Sequence, residues 1–377
     1  MHILSVFGTR PEAIKMALLS RHLATQKNIK HTLCVTAQHR EMLDQVLNFF
    51  QLKPYFDLNL MQPGQDLASL SARVLTEFTK VLKQAKPDLV CVHGDTTTSC
   101  IAAIAAFYLN IKVAHIEAGM RTYNLQAPFP EEANRTIIGR IAHFHFAPTA
   151  VNKNNLLKEG VSKSNIIITG NTVIDALLYT SKKVKQLTAT EHKTEINNIL
   201  SSKKKVILVT AHRRESFGSG FVNICKALKK IARELPDIHI IYPVHLNPQV
   251  QDVVNKTLKN EKNILLIKPL SYPDFVFLLK RSWIVLTDSG GIQEEAPSLG
   301  KPVLVMRETT ERPEAVKAGV VKLTGTDSKK IFSEVKKLVI HHSTYKKMSQ
   351  AVNPYGDGKA VTRIIQWIKQ NRKRILS

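Results

Sequence analysis

Residues 3–15 read ILSVFGTRPEAIK, and this stretch contains the pattern that decides the fold. The apolar run at 3–7 predicts a buried strand. Gly8 permits a tight turn, and Pro11 is typical of the first turn of a helix. A strand that passes through a short turn into a helix is the repeating unit of an α/β protein with a parallel sheet. The fold class therefore depends on whether this unit recurs.

The unit does recur, because short β-rich runs alternate along the whole chain with segments whose apolar residues have helical spacing. In one such segment Leu70, Val74 and Phe78 fall on a single helix face. Near-continuous apolar strands that alternate with helices predict parallel sheets covered on both faces. The predicted strands form two series, 3–7, 32–36, 89–93, 112–117, 144–147 and 166–169, followed by 206–210, 239–242, 264–267, 284–287, 302–306 and 320–323.

Two series of strands predict an α/β protein with two domains, each a doubly wound, Rossmann-like parallel sheet, that face a cleft. We assign residues 1–172 to the first domain and 173–360 to the second. A polar, lysine-bearing stretch at 182–205 separates the two series. Residues 361–377 predict a C-terminal helix that packs back across the junction.

The composition is that of a globular protein, with 377 residues of which 44% are hydrophobic and 22% charged. It excludes a disordered or collagen-like chain. No apolar run reaches the roughly 18–20 residues that a membrane span needs, and residues 1–12 lack the features of a signal peptide. The four cysteines are far apart and fit neither a disulfide framework nor a zinc site. We therefore expect a cytoplasmic protein without a membrane span.

The charge is less ordinary, since 54 Lys and Arg residues against 30 Asp and Glu residues give a net charge of +24. A basic surface attracts phosphate groups on nucleic acids, lipids or nucleotide-linked substrates. The lysines, however, are scattered in pairs over predicted helix faces, and no nucleic-acid-binding signature accompanies them. We expect a solvated basic surface and no nucleic-acid partner.

Acidic residues follow predicted strands at their carboxyl ends, where α/β sheets bind ligands. Asp95 follows the strand at 89–93, Glu117 closes the strand at 112–117, and Glu131 begins a predicted helix. Three acids near one site suit the removal and return of a proton, because repulsion and burial raise at least one pKa toward neutrality. The alternative is that Asp95 caps a helix and Glu131 is a first-turn acid. We favour acid/base catalysis for the set.

The first turn, after residue 7, offers groups for a phosphate. Backbone N–H groups at a helix start favour an anion, and Arg10 and Lys15 are within reach of a diphosphate. The alternative is a capped helix with a surface ion pair to Glu12. We favour the phosphate interpretation.

The second series offers a further set of phosphate-binding groups. His212 follows the strand at 206–210 beside arginines, where it is placed to stabilise a leaving phosphate. The sequence Ser-Gly-Gly at 289–291 enters a helix and predicts a nest of backbone N–H groups. Glu295 is one turn further on, where it can accept both hydroxyls of a ribose, and Arg312 is another cation for the site.

Several common site types are absent from the sequence. The G-x-G at 218–220 has Asn223 where a dinucleotide-binding fingerprint needs its third glycine. The histidines lack zinc-like spacing, and no G-x-S-x-G nucleophile motif occurs. We therefore expect no nicotinamide cofactor, no metal and no serine nucleophile.

The motifs, taken together, resemble those of a known family. FGTRPEAIKMA, HGDTTT, HIEAGMRT, PFPEEANRT, HRRESFG, TDSGGIQEEAPSLGKPVLV, TTERPEA and NPYGDG resemble motifs of the non-hydrolysing UDP-N-acetylglucosamine 2-epimerases of bacteria, from residue 3 to about 365. The resemblance implies a fold like that of the B-type glycosyltransferases, with substrate in the cleft. It implies reversible conversion of UDP-N-acetylglucosamine (UDP-GlcNAc) into UDP-N-acetylmannosamine (UDP-ManNAc), through elimination of UDP to 2-acetamidoglucal, for surface polysaccharide synthesis.

The resemblance also implies roles for particular residues, a homodimer, activation by UDP-GlcNAc, and no need for a cofactor. A glycosyltransferase of the same architecture and a hydrolysing epimerase that releases ManNAc and UDP are the alternatives. The implied acid/base set is Asp95, Glu117 and Glu131, with His212 at the departing diphosphate; the implied UDP-sugar contacts are Arg10, Lys15, Phe275, Ser289, Gly290, Gly291, Glu295 and Arg312; and the implied regulatory residues are Gln38, Arg213 and His245.

Overall fold

The structure is a computed structural model, and it describes residues 1–37, 40–60, 64–187, 190–202, 204–213 and 216–377. The chain forms two compact units. The first unit comprises Met1–Ala176 and Tyr355–Ser377, and the second comprises Leu177–Pro354. The C-terminal residues thus belong to the same unit as the N-terminal ones.

The strands of the described residues form one sheet in each unit. In the first unit they are β1 (His2–Phe7), β2 (Lys30–Val35), β3 (Phe56–Asp57), β4 (Leu89–His93), β5 (Lys112–Ile116), β6 (Phe144–Ala147) and β7 (Ile166–Ile168). In the second unit they are β8 (Lys205–Thr210), β9 (Ile238–Pro243), β10 (Ile264–Ile267), β11 (Ile284–Thr287), β12 (Val303–Val305) and β13 (Val321–Leu323).

Helices alternate with these strands. They are α1 (Arg10–Ala24), α2 (Arg40–Phe50), α3 (Leu67–Ala85), α4 (Thr97–Tyr108), α5 (Glu131–Ile141), α6 (Ala150–Lys158), α7 (Thr172–Lys183), α8 (Lys193–Ser201), α9 (Ser219–Glu234), α10 (Pro248–Leu258), α11 (Tyr272–Arg281), α12 (Gly290–Glu295), α13 (Pro313–Lys317), α14 (Ser328–Ile340), α15 (His342–Ser349), α16 (Ala360–Gln370) and α17 (Arg372–Leu376).

Every pair of neighbouring strands is parallel, in the order β3-β2-β1-β4-β5-β6-β7 in the first unit and β10-β9-β8-β11-β12-β13 in the second. The predicted α/β class with two doubly wound parallel sheets is confirmed. The strand order reverses between β1 and β4 and again between β8 and β11. Such reversal points are where open α/β sheets bind ligands.

The helices form because one face of each supplies the core. In α9, for example, Phe221, Ile224, Leu228 and Ile231 recur at helical spacing and are at most 2% exposed. Burial of a side chain of this size stabilises the fold by about 1.5–3 kcal/mol. The core of the second unit is built from this face of α9 together with residues of β8, β9 and α14.

The C-terminal helix α16 is attached to the first unit through Asp175 of α7. The Asp175 carboxylate accepts the N–H groups of Ala360 and Val361, at 3.1 and 3.0 Å. The Arg363 guanidinium donates to the Thr169 carbonyl at 2.9 Å. The two bonds to Asp175 satisfy backbone N–H groups at the start of α16 that have no partner within the helix.

Among the described residues, no helix combines the length and the hydropathy that crossing a membrane requires.

Candidate functional site

The predicted site residues follow the strands at which each sheet reverses its order. Arg10 is in the first turn of α1 directly after β1, and Asp95 is in the turn after β4. In the second unit His212 follows β8, and Ser289 follows β11. The polar residues that the sequence singled out are thus at the ligand-binding edges of the two sheets.

The turn after β1 is fixed by Glu12, which is 2% exposed. Thr9 caps α1, and its side chain and the Glu12 backbone form one half of a capping box. In the other half, Oε2 of Glu12 accepts the N–H groups of Gly8 and Thr9 at 3.1 and 2.8 Å. Oε1 accepts the hydroxyls of Thr96 and Ser99 at 2.6 and 2.9 Å, which ties this turn to the start of α4.

This arrangement changes which groups of the turn are available to an anion. The amides of Gly8 and Thr9 are occupied by the cap, so the side chains of Arg10 and Lys15 are the groups to consider. Glu12 is a buried capping residue, not a residue of the surface. The signal for this was the Thr9-x-x-Glu12 spacing of a capping box.

Glu117 lies directly after β5, which is hydrogen-bonded to β4 in the register His93 to Ile116. The backbone φ of Glu117 is 63°, in the left-handed region, which a residue other than glycine adopts at a cost of about 1–3 kcal/mol. Oε2 of Glu117 is 2.5 Å from Lys15 Nζ and accepts from Asn171 Nδ2 at 2.6 Å. One oxygen of this carboxylate is therefore held by two donors.

Asp95 is in the turn after β4, and 28% of its side chain is exposed. Burial raises its pKa to about 6, although Arg135, whose Nη2 is 3.2 Å from Oδ2, lowers it. The nearby carboxylates of Glu117 and Glu131 raise it further. Glu117 and Glu131 thus both lie close enough to Asp95 to act on it, and Asp95 is able to gain or lose a proton near neutral pH.

His93 is beside this acidic group but contributes no charge to it. It is 3% exposed, its Nε2 is 3.8 Å from Glu117 Oε2, and neither ring nitrogen has a hydrogen-bond partner among the described residues. Burial lowers the pKa of His93 to about 4, so the ring is neutral at pH 7. The described part of the chain contains no group of His, Cys, Asp or Glu residues arranged to hold a metal.

In the second unit the turn after β8 is held by Asp288, which is fully buried. Oδ2 of Asp288 accepts the N–H groups of His212 and Arg213 at 2.6 and 2.7 Å. The His212 ring stacks on that of His245, with centroids 5.1 Å apart and planes 7° from parallel. The His212 side chain is 41% exposed, so it remains open to a ligand.

The segment 289–295 forms the turn after β11 and the short helix α12. A Cβ on Gly290 would overlap the guanidinium of Arg312, so only glycine lets the two approach so closely. Arg312 Nε donates to Glu294 Oε1 at 2.6 Å. Glu295, further along the same helix, accepts the Tyr272 hydroxyl at 2.9 Å.

Glu311 organises the arginines of this unit. Its carboxylate is 2.8 Å from Arg307, 2.9 Å from Arg312 and 3.6 Å from Arg213. Burial acts to raise the pKa of Glu311, but these guanidinium groups lower it to about 2. Arg312 and Arg213 were predicted as site residues from the sequence, whereas Arg307 and Glu311 were not, although Glu311 lies in the motif TTERPEA.

The remaining predicted residues are distributed as follows. Phe275 is half-buried in the first turn of α11, the helix that also carries Tyr272. Arg213 and His245 are beside His212 as described above. Gln38 lies outside the residues that the structure describes. Asn171 and Asp288 were not predicted as site residues.

The chain is similar in sequence and in structure to known proteins. The family model described as UDP-N-acetylglucosamine 2-epimerase matches residues 21–369. A UDP-N-acetylglucosamine 2-epimerase from Campylobacter jejuni is 56% identical over 371 residues, covering 96% of each chain. One from Escherichia coli is 55% identical over 373 residues, covering 99% of each chain. The crystal structure of UDP-GlcNAc 2-epimerase from Neisseria meningitidis bound to UDP-GlcNAc is similar with a TM-score of 0.90 at 48% identity, covering 98% of this chain and 100% of that chain.

Proposed function

The chain belongs to the UDP-N-acetylglucosamine 2-epimerase family and is an isomerase, and from this premise we propose the reaction it catalyses. It interconverts UDP-GlcNAc and UDP-ManNAc by inverting C2 of the amino sugar without hydrolysing the substrate. The product supplies N-acetylmannosamine units for surface polysaccharide.

The reaction proceeds by elimination and re-addition. A carboxylate removes the proton on C2, the C–H electron pair forms a C1–C2 double bond, and the C1–O bond breaks with its electron pair leaving on UDP. The enzyme then holds 2-acetamidoglucal and UDP. A diphosphate oxygen of UDP adds back to C1, and a proton is delivered to the opposite face of C2. No proton is gained or lost overall.

The observation that carries this proposal is the group formed by Asp95, Glu117 and Glu131. Inversion at one carbon needs a proton acceptor on one face and a proton donor on the other, so more than one acid/base group is required. Asp95, with a pKa of about 6, exists in both protonation states near neutral pH. We assign the acid/base work to these three carboxyl groups without dividing the two faces among them.

The contacts of Glu117 support its part in this work. The Lys15 ammonium and the Asn171 amide both bind Oε2. They fix the direction of the carboxylate that we assign to the substrate proton. Preorganised groups of this kind accelerate a reaction because they need not reorient as it proceeds.

The diphosphate is bound by cations and backbone amides, and His212 stabilises it as it leaves C1. Arg10 and Lys15 are the cations of the first unit, and Arg312 is a cation of the second. The start of α12 supplies N–H groups, and Glu295 accepts hydroxyls of the ribose. The residues assigned to the UDP moiety are Arg10, Lys15, His212, Phe275, Ser289, Gly290, Gly291, Glu295 and Arg312.

A second UDP-GlcNAc molecule activates the enzyme in this proposal, and Arg213 and His245 bind it together with Gln38. The support is their position, since Arg213 follows His212 in the chain and the His245 ring stacks on that of His212. A ligand on these two residues contacts groups that adjoin a residue of the reaction.

Incubation of the enzyme with UDP-GlcNAc alone in heavy water tests the reaction. We expect deuterium at C2 of both the recovered UDP-GlcNAc and the UDP-ManNAc formed, as measured by NMR. Absence of exchange would exclude the elimination and favour a glycosyltransferase. Accumulation of free ManNAc and UDP without UDP-ManNAc would identify a hydrolysing epimerase instead.

A further inference from the structure

The turn after β8 is attached to its surroundings at successive backbone groups. The Thr210 carbonyl accepts the Asp288 N–H at 3.1 Å, and the Ala211 carbonyl accepts the Tyr242 hydroxyl at 2.7 Å. The N–H groups of His212 and Arg213 bind Oδ2 of Asp288. The backbone that carries His212 is therefore fixed, and only rotation of its side chain remains free.

The second oxygen of the Asp288 carboxylate is not accounted for. Asp288 is 0% exposed, and its Oδ1 has no hydrogen-bond partner among the described residues. Nearly all buried polar atoms in native proteins have a partner, and an unsatisfied one costs about 1–3 kcal/mol or more if charged. Nδ1 of His212 is 3.6 Å from this oxygen.

We propose that Asp288 is a positioning residue for His212, which accepts the Nδ1–H of the imidazole on Oδ1 when the nucleotide is bound. Closing the distance from 3.6 Å to a hydrogen bond needs only a rotation of the exposed ring, because the backbone is already held. The inference rests on the role proposed above for His212 at the departing diphosphate.

This contact decides what the opposite edge of the ring can do. An ionised carboxylate oxygen can only accept a hydrogen bond, so Nδ1 must be protonated to bind it. Nε2 is then the nitrogen that faces the ligand. Nε2 donates a hydrogen bond to a phosphate oxygen only when the ring is an imidazolium. The buried Asp288 carboxylate places a negative charge beside Nδ1, on the edge of the ring opposite the phosphate.

Asp288→Asn separates this role from a purely structural one. The asparagine retains an oxygen for the two backbone N–H groups, but it presents an amide N–H to Nδ1. The ring then donates from Nε2 as a neutral imidazole, without the positive charge that the imidazolium brings to the leaving diphosphate. We expect kcat to fall on the order of 10²-fold, the scale of losing assistance from one acid/base group, with the affinity for UDP little changed. Nitrogen-15 NMR of labelled histidines in the UDP complex should report a protonated Nδ1 of His212 in the wild type and an unprotonated one in the variant.

Asp175→Asn is the matched control, because Asp175 is also a buried carboxylate that accepts two consecutive backbone N–H groups. We expect it to lower stability and to leave kcat and the His212 NMR signature unchanged. The wild-type spectrum is decisive even if Asp288→Asn fails to fold, since an unprotonated Nδ1 in the UDP complex would overturn the proposal.

A double-mutant cycle with His212→Gln separates this inference from the proposed function. If Asp288 acts through His212, the double variant is no slower than His212→Gln alone. Multiplied losses would mean that Asp288 acts independently, which refutes the inference and leaves the role of His212 intact. Full activity of His212→Gln would refute that role and the inference with it.

Discussion

Asp95 in the first unit and Glu311 in the second are partly buried carboxylates beside arginine, yet their pKa values are displaced in opposite directions, to about 6 and about 2. Burial acts to raise both pKa values. Asp95 has one guanidinium, the Lys15 ammonium and two further carboxylates nearby, whereas Glu311 is near three guanidinium groups. The neighbouring charges outweigh burial at Glu311 but not at Asp95.

The comparison shows how one fold supports two kinds of chemistry. Each group follows a strand near the reversal of a parallel sheet. In the first unit the charges near Asp95 do not offset its burial, so its pKa lies near neutral pH. In the second unit three guanidinium groups more than offset the burial of Glu311, which stays ionised and pairs with them. The predictions below test this division between the two units.

The largest expected effect is on the acidic group of the first unit. Glu117→Gln keeps the shape of the side chain but cannot accept a proton, so we expect kcat to fall on the order of 10²-fold or more while UDP still binds. Steady-state kinetics and calorimetric titration with UDP measure the two quantities. Glu77→Gln, on the exposed surface of α3, is the control and should be silent. Activity close to wild type would remove Glu117 from the acid/base set.

The next effect is on the stability of the second unit. The pKa of Glu311 is about 2 in the folded protein, below the 4.5 of an unperturbed glutamate, so the carboxylate stabilises the fold above pH 4.5 and this contribution is lost as the pH falls toward 2. Such a difference corresponds to about 3 kcal/mol of unfolding free energy at pH 7. Glu311→Gln should lack this contribution at pH 7 and approach the wild type in stability at low pH.

Urea unfolding at several pH values measures this difference, with Trp283 as the reporter of the second unit in a Trp367→Phe background. Glu334→Gln removes the partner of the surface residue Lys322 and serves as the control. It should cost at most about 1 kcal/mol, as expected for a surface ion pair. A Glu311→Gln variant as stable as this control at pH 7 would contradict the assigned role of the three arginines.

The sequence predicted the sheets and the places of the candidate acids after their strands, because both depend on local patterns. Apolar runs identified strands, and Asp95 and Glu117 follow β4 and β5, which are neighbours in the sheet. The edge strand β3 was missed because two residues do not make a recognisable run. Strand ends differed by a residue or two where the last pairing depends on a neighbouring strand, as at β2.

The supporting residues could not be predicted in the same way. Asn171 is 54 residues from Glu117, and Asp288 is 75 and 76 residues from the amides that it binds. No local pattern links such pairs, because the folded sheet alone brings them together. Glu12 is the exception, since its capping role is encoded within four residues; the sequence alternative of a capped helix included Glu12, but as a partner in a surface ion pair.

Arg10→Ala tests whether cations for the diphosphate are confined to the second unit. Because the amides of Gly8 and Thr9 are occupied by Glu12, any phosphate contact of this turn depends on side chains. Loss of one charge-assisted hydrogen bond corresponds to about a tenfold weaker affinity for UDP. Calorimetric titration measures it, with Arg21→Ala in the last turn of the same helix as the control. An unchanged affinity would restrict diphosphate binding to other residues.

The smallest expected effect is a shift in the pH dependence of kcat/KM. Arg135 lowers the pKa of Asp95 against the larger effect of burial, so its removal should raise that pKa above 6. Whether Asp95 acts as acid or base, the limb of the kcat/KM profile that it controls then moves to higher pH in Arg135→Gln. Arg140→Gln on the same helix leaves Asp95 untouched and should leave the limb in place, because its guanidinium binds the Glu159 carbonyl. A limb that stays near pH 6 in Arg135→Gln would show that another group controls it, and a limb that moves to lower pH would mean that Arg135 does not lower the pKa of Asp95.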